Sequence, residues 1–196
     1  AFDAHAGGRI PVELYASLAE KYGYIIIGSN NSKNGLSQDA TNHIVNVLLN
    51  DVRSRISINR KRIYLTGFSG GARVAANVAL QDNICGLAAC SAGFQPTQEL
   101  NFNYIGFAGN EDFNSNEMLE LDKMLDAGNS KHAFVLFDGK HEWPSKEVFE
   151  AAFVWFDINA MKDNLLKSNL PFLKSEAQTA EKKIVELSQH GQYLAA

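Results

Sequence analysis

Cysteine and proline are scarce in this chain: two of the first and four of the second among 196 residues. Cys85 and Cys90 flank one short apolar run, and an extended chain would hold them roughly 16 Å apart, beyond disulfide reach. They read as small buried hydrophobes and leave the redox compartment undecided. No apolar stretch approaches the ~20 residues that cross a bilayer. Residues 1–15 lack the basic-then-apolar pattern of a signal peptide, a lack that trimming or processing would equally produce. A basic stripe is also missing. Lys and Arg number 18 against 22 Asp and Glu, with a formal charge of −4, which gives no electrostatic footprint for nucleic acid. No spacing of His, Cys, Asp and Glu suggests a metal site.

What is present is a strand–helix alternation. Hydrophobic residues make up 45% of the chain, enough for one domain with a sizeable core and too many for disorder. Runs rich in β-branched and aromatic residues predict strands at Tyr24–Gly28, Arg62–Gly67, Gly86–Cys90, Asn103–Ala108 and Ala133–Phe137. Helical spacing predicts helices at Pro11–Lys21, Asp39–Ile56, Gly70–Leu80, Glu117–Asp126 and Ser145–Met161. In the second of these, Ile44, Leu48, Val52 and Ile56 recur every four residues and form one apolar stripe, and Ser37 or Asp39 can cap the first turn. The unbroken Ile25-Ile26-Ile27 suggests a strand covered on both faces. The alternation implies an α/β fold, a mostly parallel sheet between helix layers. Residues 1–162 form the main domain. Residues 163–196 carry no strand signal, and Leu173, Ala177, Ala180, Ile184 and Leu187 predict a helical extension. It is expected to pack on the domain, the alternative being a docking surface or the start of a helical array.

The informative stretch runs from Arg62 to Ala75. An apolar strand leads into Gly67-Phe68-Ser69-Gly70-Gly71, a Gly-x-Ser-x-Gly pattern, and a helix of small residues follows. In such an elbow the chain turns sharply from strand to helix and lifts the serine hydroxyl at the strand end, so the positions two before and two after must be small. Ser69 is the candidate nucleophile, and Gly70 can offer its backbone N–H to an oxyanion above the helix N-terminus. The plainer reading is a glycine-rich turn with Ser69 as helix cap. Neither the dinucleotide nor the phosphate-loop glycine pattern fits.

A serine nucleophile needs a base, and the base needs an orienting acceptor. In the expected order the acid comes next, in the loop after a strand, and the histidine last. Asp112 follows the strand ending at Ala108, with Glu111 as its competitor and Asp138 less suited. His141 follows the strand ending at Phe137 and is the candidate base. His43, His132 and His190 fall in a helix, at a strand entry and in the tail, and read as structural or surface residues. Phe2-Asp3-Ala4-His5-Ala6-Gly7-Gly8 reads as the loop supplying a second oxyanion N–H, at Ala6, with His5 shaping it. Trp143, Phe68 and His5 are candidates for contact with substrate.

Gly67-Phe68-Ser69-Gly70-Gly71-Ala72 and Gly139-Lys140-His141-Glu142-Trp143-Pro144 resemble motifs of the α/β-hydrolase superfamily, in the branch of polyhydroxybutyrate depolymerases and feruloyl esterases. Those families often carry Gly-His-x-Trp-Pro around the base; here Lys140 intervenes. The resemblance spans residues 1–160. It implies the α/β-hydrolase fold, a Ser69–His141–Asp112 triad, hydrolysis of a small or polymer-linked ester, no cofactor, and frequently a periplasmic or secreted protein. It leaves the ester and the oligomeric state open. An amidase, thioesterase or peptidase would use the same triad, and a non-catalytic hydrolase-like binding domain is the rival from another class. The fold also implies a strand just before the first oxyanion loop, between the strands at Tyr24–Gly28 and Arg62–Gly67. Ala1 falls at the end of its expected place, so the N-terminal strands are expected to be missing from these residues by truncation, or replaced by another segment.

Overall fold

A computed structural model describes residues 1–189. The chain runs β1 (Phe2–Asp3), α1 (Arg9–Tyr22), α2 (Gln38–Arg55), β2 (Tyr64–Phe68), α3 (Gly70–Gln81), β3 (Gly86–Cys90), β4 (Asn103–Gly109), α4 (Ser115–Asp126), β5 (His132–Phe137), α5 (Lys146–Lys162) and α6 (Leu170–Gln189). The strands lie in chain order, β1 to β5, and every neighbouring pair is parallel. Parallel neighbours require a crossover, so all C-terminal strand ends share one edge of the sheet. The loops bearing Ser69, Asp112 and His141 all leave from that edge.

Local signals place the helices. Ser37 caps α2, its Oγ accepting the Ala40 N–H at 3.2 Å, and Ser145 caps α5 through the Val148 N–H. Gly23 ends α1 in the left-handed region at φ 69°. Every residue of β3 and β4 is buried, and their side chains alternate between two cores. Leu87, Ala89 and Tyr104 join Val45, Ala72, Ala76 and Leu121 on the face covered by α2, α3 and α4. Ala88, Cys90, Ile105 and Phe107 join Tyr15, Leu18, Phe149, Phe153 and Phe156 on the face covered by α1 and α5. Ala72, Ala75, Ala76 and Ala79 are fully buried; their small size lets α3 lie close on the sheet.

Three expectations need correction. Tyr24–Gly28 forms no strand. Its end touches the sheet in a single bridge, Phe2 to Ser29, and β1 pairs with β2 over only Phe2 and Asp3. The Ile27 carbonyl accepts from the Ala1 amino group at 2.6 Å, and residues 24–27 line a cleft of about 360 Å³ together with Ile63–Thr66. Ile25 is 60% exposed instead of covered on both faces. The two residues of β1 do take the position expected between Tyr24–Gly28 and β2. Second, α6 forms but buries none of its side chains; Phe172, Leu173 and Glu176 are half-buried, and Ile184 and Val185 are exposed. It is a peripheral helix. Third, Cys90 is buried but Cys85 only half so, both as free thiols. His190 lies outside the described residues. Among the described residues no helix is long and apolar enough to cross a membrane, and no group of three or more His, Cys, Asp and Glu could hold a metal ion.

Candidate active site

Ser69 joins β2 directly to α3 and sits at φ 54°, ψ −123°. A non-glycine residue there is strained. The strain is held from both sides: the Ser69 N–H donates to the Cys90 carbonyl at 2.9 Å, and the Ser69 carbonyl accepts from Ala72 N–H at 2.9 Å. The flanking glycines are required by contact. A Cβ on Gly67 would fall 2.2 Å from the Gly71 carbonyl oxygen, and one on Gly71 would fall 2.2 Å from that of Phe2.

The three chemical side chains converge. His141 Nε2 lies 2.9 Å from Ser69 Oγ, and His141 Nδ1 lies 2.8 Å from Asp112 Oδ1. An ionised carboxylate only accepts, so Nδ1 carries the proton and Nε2 is free to accept the serine hydroxyl proton. Asp112 Oδ1 also accepts the Asn114 N–H at 2.8 Å, whereas Oδ2 is buried with no hydrogen-bond partner among the described residues. Glu111, the competing acid, is exposed and faces Lys140 Nζ at 4.0 Å. The acid and histidine loops are laced together: Asn110 N–H donates to the Phe137 carbonyl and Glu111 N–H to that of Gly139, and Asn110 Oδ1 accepts the Gly139 N–H at 3.2 Å.

Such a strand-elbow-helix serine, with acid and histidine on later strand ends of one parallel sheet, belongs to a known architecture. The chain has the α/β-hydrolase fold. Over 79% of its length it is similar to the fluorophosphonate-binding serine hydrolase F of Staphylococcus aureus, covering 81% of that chain at 15% identity and a TM-score of 0.62. The S-formylglutathione hydrolase of the same organism gives 0.60 at 17% identity, with 79% and 78% covered. A Bacillus cereus carboxylesterase gives 0.59 at 19% identity, with 80% and 86% covered. No protein-family model matches the chain, and no curated protein matches it.

The same sheet sets the loop that follows β1. Phe2 and Asp3 pair with Gly67 and Phe68, so residues 4–8 leave the sheet beside Ser69. Ala6 has φ 61°, and the His5 imidazole is exposed. Phe68 lies beneath the histidine, its ring 4.9 Å from that of His141 and 5.6 Å from that of Trp143. Trp143 donates its indole N–H to Asp3 Oδ2 at 2.8 Å, a contact beyond the expected lining of the cleft.

Three residues at the site escaped the sequence reading. Phe113 stacks on His141. Asn34 lays its carboxamide against Gly70, where an added Cβ would meet Asn34 Oδ1 at 1.7 Å. Asp3 accepts N–H groups from two loops. Phe113 sits next to Asp112 in the chain, which was a usable signal. Asn34 sits in an Asn-Gly turn and Asp3 at a strand end, and neither pattern announces chemistry.

Proposed function

We propose that the chain is a serine hydrolase that cleaves carboxylic esters by acyl transfer. The observation that carries this reading is the continuous line from Asp112 to His141 to Ser69, with both contacts at hydrogen-bond length. His141 takes the proton as Ser69 Oγ attacks the ester carbonyl. The oxyanion that forms is held by the Gly70 N–H at the start of α3 and by the loop around Ala6, a contribution of about 3–4 kcal/mol for a donor of this kind. Asp112 keeps the imidazole in its tautomer and balances its transient positive charge. His141 then passes the proton to the leaving alkoxide, and a water activated by the same imidazole hydrolyses the acyl-enzyme, returning Ser69 and a free acid. Phe68, Trp143 and His5 are proposed to border the substrate.

The fold neighbours named carboxylesterase and serine hydrolase agree with this chemistry. The S-formylglutathione hydrolase among them directs attention to thioesters, which the same triad would cleave. A non-catalytic binding domain would have no need of the strained Ser69 backbone. The test is covalent labelling with a fluorophosphonate probe, followed by short-chain p-nitrophenyl esters, a thioester and an anilide. The proposal expects stoichiometric labelling at Ser69, none in Ser69→Ala or His141→Ala, retention in Glu111→Ala, and ester turnover. A folded parent chain that neither labels nor turns over any of the panel sinks it.

A further inference from the structure

Asp3 ends β1 and is 2% exposed. Its Oδ1 accepts the His5 N–H at 2.8 Å and the Gly7 N–H at 3.3 Å, and its Oδ2 accepts the Trp143 indole N–H at 2.8 Å. Among the described residues no Lys or Arg nitrogen lies within 4.0 Å of it, and the His5 imidazole, 3.7 Å away, is 80% exposed. A carboxylate in that place is costly unless N–H donors surround it. Here those donors come from the two loops that the proposed reaction needs in register.

We propose that Asp3 is a positioning residue: its carboxylate joins the oxyanion loop to the histidine loop through the indole of Trp143. This rests on the serine-hydrolase reading of the site. The two bonds to Oδ1 straddle Ala6 and hold it in its left-handed conformation. The bond to Oδ2 ends two residues beyond His141. The indole has little freedom to turn away. It packs against Phe68 and edge-on to Tyr15 at 6.0 Å, and Tyr15 donates its hydroxyl to the Pro144 carbonyl at 2.8 Å. The loops spring from opposite ends of the sheet, after β1 and after β5, and no ladder hydrogen bond relates them. Asp3 supplies that relation, and Trp143 is assigned to it through its N–H instead of to substrate alone. Catalytic groups set about 1 Å out of place cost on the order of 100-fold in rate.

The experiment follows the geometry. Asp3→Asn keeps the shape but turns an NH₂ toward one set of donors. Trp143→Phe removes only the indole donor. Hydrolysis of p-nitrophenyl acetate and the rate of fluorophosphonate labelling are measured for the parent chain, both single variants and the double variant. The expected result is a loss in kcat of roughly 10- to 100-fold for Asp3→Asn with KM within about twofold. Trp143→Phe is expected to lose less, and the double variant to run faster than Asp3→Asn alone, because the opposed donors are then gone. The second readout is the indole N–H resonance. Trp143→Phe assigns it against Trp155, and Asp3→Asn is expected to shift it upfield. An unmoved resonance in folded Asp3→Asn overturns the bridge, as does a double variant slower than Asp3→Asn by the full factor that Trp143→Phe shows alone. If Asp3→Asn does not fold, labelling of Trp143→Phe at the parent rate overturns it. A parent chain that does not label at Ser69 fails the serine-hydrolase reading instead, and the resonance still tests the bond.

Discussion

Phe113 lies face to face with His141, the ring centroids 4.0 Å apart and the planes 28° from parallel, although Phe113 is 76% exposed. An apolar ring left in water usually has a reason outside the core. With Phe68 at 4.9 Å, it gives the imidazole two aromatic neighbours. Stacking of this kind is worth about 0.5–1.5 kcal/mol. Phe113→Ala is therefore expected to lower kcat/KM by roughly 2- to 12-fold while shifting Tm by less than ~2 °C. Steady-state kinetics beside a thermal melt check both; a large fall in Tm would mean that the ring serves stability.

Asp112 illustrates a site held against its own stability. Its Oδ2 is buried with no hydrogen-bond partner among the described residues, and a buried acceptor left unpaired costs stability. Asp112→Asn removes the charge and keeps the Asn114 contact, but its amide favours the wrong imidazole tautomer. A fall in kcat of about 10⁴ is expected from the same change in a known triad. Tm is expected to hold or rise. A melt more than ~5 °C below the parent would contradict the second half of that expectation.

The elbow tolerates no Cβ at Gly67. The atom would lie 2.2 Å from the Gly71 carbonyl oxygen and 2.6 Å from the Ala72 nitrogen, and backbone cannot step aside as a flexible side chain can. Gly67→Ala is expected to cost about 1–3 kcal/mol, and to slow fluorophosphonate labelling by displacing Ser69. Gly128→Ala is the control, since its Cβ would meet only the Leu125 carbonyl oxygen at 3.7 Å; chemical denaturation of the two variants compares them.

Acid sensitivity is expected where α1 meets α5. Lys21 Nζ lies 2.6 Å from Glu150 Oε1, and the Tyr22 hydroxyl donates to the same oxygen at 2.7 Å. The Lys21 bond above all, helped by Tyr22 and opposed by burial, holds the Glu150 carboxyl below its ordinary value of 4.5. A depressed carboxyl adds stability above its unfolded value and loses it as pH falls through the lower folded one. The Tm difference between parent and Glu150→Gln is thus expected to be widest near neutral pH and to close as pH falls below about 4.5. Both partners are partly exposed, so the effect is expected to stay below ~1 kcal/mol. A gap that widens in acid reverses the sign and refutes the assignment.

The sequence by itself determined the order of elements from Arg62 to Lys162, the parallel sheet and the elbow. Those follow from periodicity and from short-range sterics: Gly67 and Gly71 are small because a turn two residues away demands it. The sequence favoured Asp112 with Glu111 as competitor, because both follow the same strand; the loop, bonded to Phe137 and Gly139, leaves Asp112 buried against His141 and Glu111 exposed beside Lys140. The Ile25-Ile26-Ile27 run misled because apolar character reports a wish for burial, and pairing needs a neighbour that only the assembled sheet supplies or withholds. The tertiary structure alone decided that Asp3 meets Trp143 and that Phe113 covers His141, since the first contact spans most of the chain and the second depends on how two loops fold onto one sheet edge.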